Sequence, residues 1–177
     1  MVTSEAARRR FAETVAPHLD DAYGLARWLT GSATDAEDVV QEACIRALSA
    51  LDGAPSERPR PWLLAIVRNT AFTWLAKNRP ASVTLTDDWP ALEAAAAKAS
   101  SGPPDPEQAL IAAADEASLE AAIGSLPHAF REVVVMRDIN GLSYREIAAA
   151  IGAPVGTVMS RLARGRAHLV QSLGARR

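Results

Sequence analysis

Only one cysteine, Cys44, occurs in the chain. A single thiol excludes an internal disulfide framework and any cysteine-based metal cluster. The three histidines, His18, His128 and His168, are scattered and make no cluster either. Long apolar runs are missing: no stretch reaches the roughly 18 residues that a membrane helix needs, so direct membrane insertion is not expected. Arg8, Arg9 and Arg10 lead into no apolar stretch, which argues against a secretory signal and for a cytoplasmic protein. There is no carboxylate pair, no nucleophile–base set and no phosphate-binding glycine loop. The chain therefore reads as non-catalytic, with no cofactor, no metal and no small-molecule substrate. Strand alternation and internal repeats are absent as well, which leaves helix.

What is present is ample apolar material: 49% of 177 residues, enough for one medium domain or two small ones. The formal net charge of −2 conceals an uneven distribution. Residues 1–80 hold ten basic and ten acidic side chains, residues 81–116 one lysine against seven acids, and residues 117–177 eight basic against four acidic. Contact with nucleic acid is expected at the basic C-terminal end.

Apolar residues at three- and four-residue steps, from Phe11 to Leu29, predict a helix over 5–30, interrupted at Pro17 and ended by Gly31. Thr34 and Glu37 offer a capping box for a second helix, Asp35–Leu51, with Val40, Ala43, Ala47 and Leu51 inward. Asp38, Gln41, Glu42 and Arg46 fall on its outer side, where a plain solvated surface is the simplest role. Gly53, Pro55 and Pro59 make 52–59 a loop. A third helix, Arg60–Asn78, interleaves aromatics with Arg68, Lys77 and Arg79. Such a mixture can stack bases, although burial is the commoner use of the rings; Trp62, beside the loop, is the exposed candidate. Residues 80–107 read as a proline-containing acidic linker, with room for a short helix in 91–99. Helices then follow to Ile123 and from Pro127 to the residues before Gly141.

The segment Gly141–Leu173 has the grammar of two helices about a tight turn. Ser143 and Glu146 form a capping box, and Leu142 and Ile147 a hydrophobic staple. Gly152 ends the first helix and Pro154 starts the second. This is the helix-turn-helix pattern, whose second helix enters a major groove. On that second helix Val155, Val158, Leu162 and Leu169 are expected inward. Thr157, Arg161, Arg164 and His168 recur on another face, with Ser160 and Arg166 at its edges. Arginine there suits guanine edges and phosphates, and an ordinary solvated basic helix is the plain alternative.

Three stretches together resemble the extracytoplasmic-function (ECF) sigma factors of bacterial RNA polymerase: DAEDVVQEACIRAL, RPWLLAIVRNTAFTWLAKNR, and LPHAFREVVVMRDINGLSYREIAAAIGAPVGTVMSRLARGRAHL. The resemblance implies an all-α chain of two small helical domains on a flexible acidic linker. The first domain (1–80) would bind core polymerase and the −10 element, the linker spans 81–106, and a helix-turn-helix domain (107–177) would bind −35. It implies that Asp38, Gln41, Glu42, Cys44 and Leu48 meet core polymerase. Asp52, Gly53, Ser56, Arg58, Trp62, Asn69, Thr73, Lys77 and Arg79 would meet the −10 strand. Thr157, Ser160, Arg161, Arg164, Arg166 and His168 would meet −35 DNA. Promoter DNA and an anti-sigma factor are the further implied partners. Three departures stand out: many relatives carry a basic residue where Met159 stands, the third helix ends with only Lys77 and Arg79 as cations, and the −10 loop is proline-rich and lacks the aromatic that often occurs there. The competing readings are a stand-alone helix-turn-helix regulator and a sigma mimic that sequesters an anti-sigma factor.

Overall fold

Pro17 breaks the first helical stretch in two. In the computed structural model, which describes residues 5–55, 57–79 and 116–174, α1 spans Glu5–Thr14 and α2 spans Leu19–Thr30, with Ala16–His18 as a tight turn between them. Gly31 ends α2 in the left-handed region, at φ 71°, and its N–H donates to the Arg27 carbonyl at 3.0 Å. The next cap differs from the expected Thr34–Glu37 box. Ser32 is extended and its Oγ accepts from the Asp35 N–H at 3.4 Å, so α3 runs Ala33–Ser49 and Thr34 already lies in its first turn. Helix α4, Pro59–Asn78, begins on a proline whose missing N–H costs nothing there.

Helices α2, α3 and α4 pack on one another. Leu25, Ala26 and Leu29 meet Ala36, Val39, Ala43 and Ala47 of α3 and Leu63, Leu64, Val67 and Ala71 of α4 in one buried cluster. The alanines of α3 bring its backbone close to its neighbours, while each buried leucine contributes about 1.5–3 kcal/mol. On α4 the aromatics Trp62, Phe72 and Trp74, with Ile66, are only half-buried, and Leu63, Leu64, Val67 and Ala71 take the centre.

The C-terminal half contains α5 (Glu116–Ser125), α6 (His128–Val134), α7 (Tyr144–Ile151) and α8 (Val155–Gly174). A wider π turn, Val135–Ile139, prolongs α6, and the Asn140 N–H reaches back five residues to the Val135 carbonyl at 2.9 Å. Gly141 (φ 68°) and Gly152 (φ 67°) make the turns on either side of α7. The predicted capping box is formed: the Ser143 N–H donates to Glu146 Oε2 at 2.7 Å, and the Glu146 N–H donates to Ser143 Oγ at 3.3 Å. Both staple residues, Leu142 and Ile147, are buried. The acidic linker and the short helix expected in 91–99 lie outside the described residues.

The two halves pack together, α4 against α7 and α2 against α6, and share one apolar cluster. Polar contacts seal the junction. Arg68 Nε donates to Glu132 Oε2 at 2.7 Å, Arg58 pairs with Glu146 at 3.2 Å, and the Phe72 and His128 rings meet edge-on at 6.1 Å. Among the described residues there is no strand, and no helix is long and apolar enough to cross a membrane.

Candidate nucleic-acid and protein interfaces

Three surfaces hold the candidate residues. The first is the outer side of α3. Asp38, Gln41 and Glu42 are exposed there, and Glu42 pairs with Arg46 one turn on, at 2.9 Å. Cys44 and Leu48 are half-buried because they turn toward α1. Together with Arg8, Phe11, Gln41 and Ile45 they line a groove of about 410 Å³. Burial pushes the Cys44 thiol pKa up, which favours the neutral thiol over the nucleophilic thiolate.

The second surface follows the loop after α3 and the exposed side of α4. Asp52 and Gly53 are exposed, and Asp52 pairs with Arg10 at 3.2 Å. Ser56 lies outside the described residues. Arg58 is held by Glu146 across the junction. Trp62, expected to be exposed, is half-buried and packs against the core. Asn69 accepts from Arg68 Nη1 at 3.0 Å, and the Thr73 hydroxyl donates to the Asn69 carbonyl at 2.9 Å. Lys77 is exposed. Arg79 donates to Asp35 Oδ2 at 2.5 Å and its guanidinium lies 6.0 Å from the Trp74 ring. Asn69, Thr73 and Lys77 thus share the open side of α4, whereas Arg58 and Arg79 are engaged in ion pairs.

The third surface is α8, and here part of the expected pattern shifts. The stripe of Thr157, Arg161, Arg164 and His168 is half-buried. Arg161 Nη1 donates to Glu132 Oε1 of α6 at 3.3 Å, and the His168 ring lies 5.9 Å from that of Phe130. Arg166 clasps Asp138 with two hydrogen bonds, at 3.1 and 2.5 Å. These cations were expected outward. Nearby carboxylates draw Arg161 and Arg166 in, and α6 supplies an aromatic ring for the histidine. Val155, expected inward, is instead 37% exposed. Over the first half of α8 the outward strip consists of Val155, Gly156, Met159, Ser160 and Ala163, none of them charged. Val158, Leu162 and Leu169 are buried as expected.

Residues 14–80 match the Sigma-70 region 2 family and residues 116–169 the Sigma-70 region 4 family. The ECF RNA polymerase sigma factor SigW of Bacillus subtilis is 31% identical over 169 residues, covering 92% of this chain and 88% of the relative. The chain belongs to the ECF sigma factors. The ECF RNA polymerase sigma factor SigE of Mycolicibacterium smegmatis is 37% identical over 166 residues; the match covers 93% of this chain and 62% of that longer relative. The sigma factor RpoE of Bartonella quintana, solved in complex with the anti-sigma factor NepR, shares the fold at a TM-score of 0.68 and 22% identity, over 94% of this chain and 98% of that one.

In this sigma factor two features escape sequence reasoning. Ile45, 57% exposed beside Gln41, Cys44 and Leu48, completes an apolar groove that the acidic outer side of α3 disguises. Its spacing of four from Gln41 was the available signal. The other is Glu132, only 2% exposed and gripped by arginines from both halves. Burial raises its pKa above the usual carboxylate value, outweighing the opposing pull of Arg68 and Arg161.

Proposed function

We propose that this chain is a non-catalytic, cytoplasmic specificity subunit that recruits core RNA polymerase and directs it to promoters with defined −35 and −10 elements. The domain limits 1–80, 81–106 and 107–177 belong to the same reading. Asp38, Gln41 and Glu42, with Ile45 and the groove walls Cys44 and Leu48, serve as the polymerase contact, where acids rim an apolar centre. Asn69, Thr73 and Lys77 meet the −10 strand. Helix α8 reads −35 DNA through Ser160 and its outward strip, with Arg164 at the edge. The observation that carries the reading is the conjunction, on one chain, of a helix-turn-helix with an open second helix and an exposed α3 face bearing an apolar groove. An anti-sigma factor is the proposed regulatory partner, supported by the NepR complex of the Bartonella relative.

In vitro transcription with core polymerase tests the proposal. The purified chain should direct initiation from a subset of promoter fragments, and Ile45→Glu should abolish assembly with core polymerase while leaving the fold intact. Failure to direct initiation on any fragment of a genomic promoter library defeats the reading and favours a sigma mimic. Tight binding to an operator in the absence of polymerase favours a stand-alone regulator.

A further inference from the structure

We infer that Met159 reads a thymine in the −35 duplex through its C5 methyl group, so that one A·T pair of the element is selected by an apolar contact. The inference rests on the proposed promoter role and deepens it. In a helix-turn-helix, residues near the start of the second helix lie against base edges in the major groove. On α8 those positions are Val155, Gly156, Met159 and Ser160.

What they offer a base is narrow. The Ser160 hydroxyl donates to the Thr157 carbonyl at 3.0 Å. Arg161 is paired with Glu132 and Arg166 with Asp138, both away from the outward strip. Nothing lies within 4 Å of where a Cβ on Gly156 would sit, so the backbone there can approach another surface closely. At the centre of the strip stands Met159, 52% exposed, with Val155 one turn before it and Ala163 one turn after. A thioether chain makes no strong hydrogen bond and cannot tell adenine from guanine by their acceptors. The thymine methyl is the one apolar group on the major-groove base edges, and the flexible methionine chain can settle on it. The position therefore reads a methyl group where an arginine would read guanine.

The full chain with its core polymerase supplies the test. A promoter selected from a library randomised across −35 is rebuilt with each thymine in turn replaced by deoxyuridine, which removes the methyl and nothing else. Initiation by the wild type should fall about three- to fourfold at one thymine, the worth of one buried methyl, and Met159→Ala should be insensitive to the same replacement. Met159→Arg should shift the preference at that pair toward guanine. Met159 is exposed, so both variants keep their fold, which thermal unfolding verifies. The inference is overturned if wild-type initiation is promoter-specific yet indifferent to every methyl, or if Met159→Ala keeps the sensitivity. A uniform loss on all promoters in Met159→Ala, with no thymine dependence, overturns it in favour of a contact with polymerase. Absence of any promoter-directed initiation overturns the proposed function itself.

Discussion

Ser143 and Glu146 show how much two side chains can decide. Four N–H groups at a helix start lack partners within the helix, and the reciprocal box at α7 supplies an acceptor for the Glu146 N–H while Glu146 accepts from the Ser143 N–H. Ser143→Ala should cost about 1 kcal/mol in urea unfolding at neutral pH. The hydrogen bond from the Ser143 backbone, followed by that from its side chain and by the Arg58 charge, holds the Glu146 pKa below its ordinary value of 4.5. A lowered folded-state pKa means that the ionised carboxylate favours the fold. Its contribution is complete above the ordinary glutamate range and is lost as pH falls through the lower, folded value. Stability of the wild type should therefore decline between about pH 5 and pH 3 more steeply than that of Glu146→Gln, and unfolding curves across that window measure the difference. This box was legible because its partners are three residues apart. At α3 the same logic selected Thr34, whereas the extended backbone of Ser32 makes it the true cap. Two candidate caps two residues apart look alike until the backbone at each is known.

Helix ends were legible because Pro17, Gly31, Gly141 and Gly152 impose them by stereochemistry, but helix faces were legible only where one side is buried. Helix α4 packs on α2 and α3 along one side and on α7 along another, so its apolar residues surround it and no stripe separates core from surface. Helix α8 hid its outward face for a different reason: Arg161 and Arg166 look solvent-directed in sequence until Glu132 and Asp138, both at least 28 residues away, are seen to hold them. The contact of α8 with α6 turns on Gly165, which is buried. A Cβ there would lie 2.7 Å from Val134 Cγ2 and 3.4 Å from Phe130 Cβ. Replacing a helical glycine by alanine ordinarily gains up to about 1 kcal/mol. Here the obstructing methyl belongs to a β-branched side chain that has little freedom to turn aside. Overpacking of this kind costs about 1–3 kcal/mol, so the clash wins and Gly165→Ala should lower the melting temperature. Gly156→Ala, with open space around its Cβ, is the control and should hold or raise it.

At the scale of the molecule, the side chain that joins the halves is the one that sequence reasoning could least expect. Glu132 sits in the apolar run FREVVVM and looks like a stray surface residue, yet it is buried between Arg68 and Arg161. One partner is 64 residues away on α4, across the linker, and nothing local encodes that pairing. Two charges of one sign and one of the other meet in a nearly dry place, so the balance is delicate. Taking a carboxylate out of water is costly, as its raised pKa records, and the attraction of the two guanidinium groups offsets part of that cost only while all three remain. Glu132→Ala leaves two arginines facing each other in a half-buried site and should destabilise the chain by about 3–5 kcal/mol. The triple substitution Arg68→Met, Glu132→Leu, Arg161→Met removes every charge while keeping similar volume, and should recover most of that loss. Chemical unfolding of the single and triple variants measures both. If Glu132→Ala were instead as stable as the wild type, the carboxylate would not be holding the halves together, and their packing would rest on the apolar contacts of α4 with α7 and α2 with α6 alone.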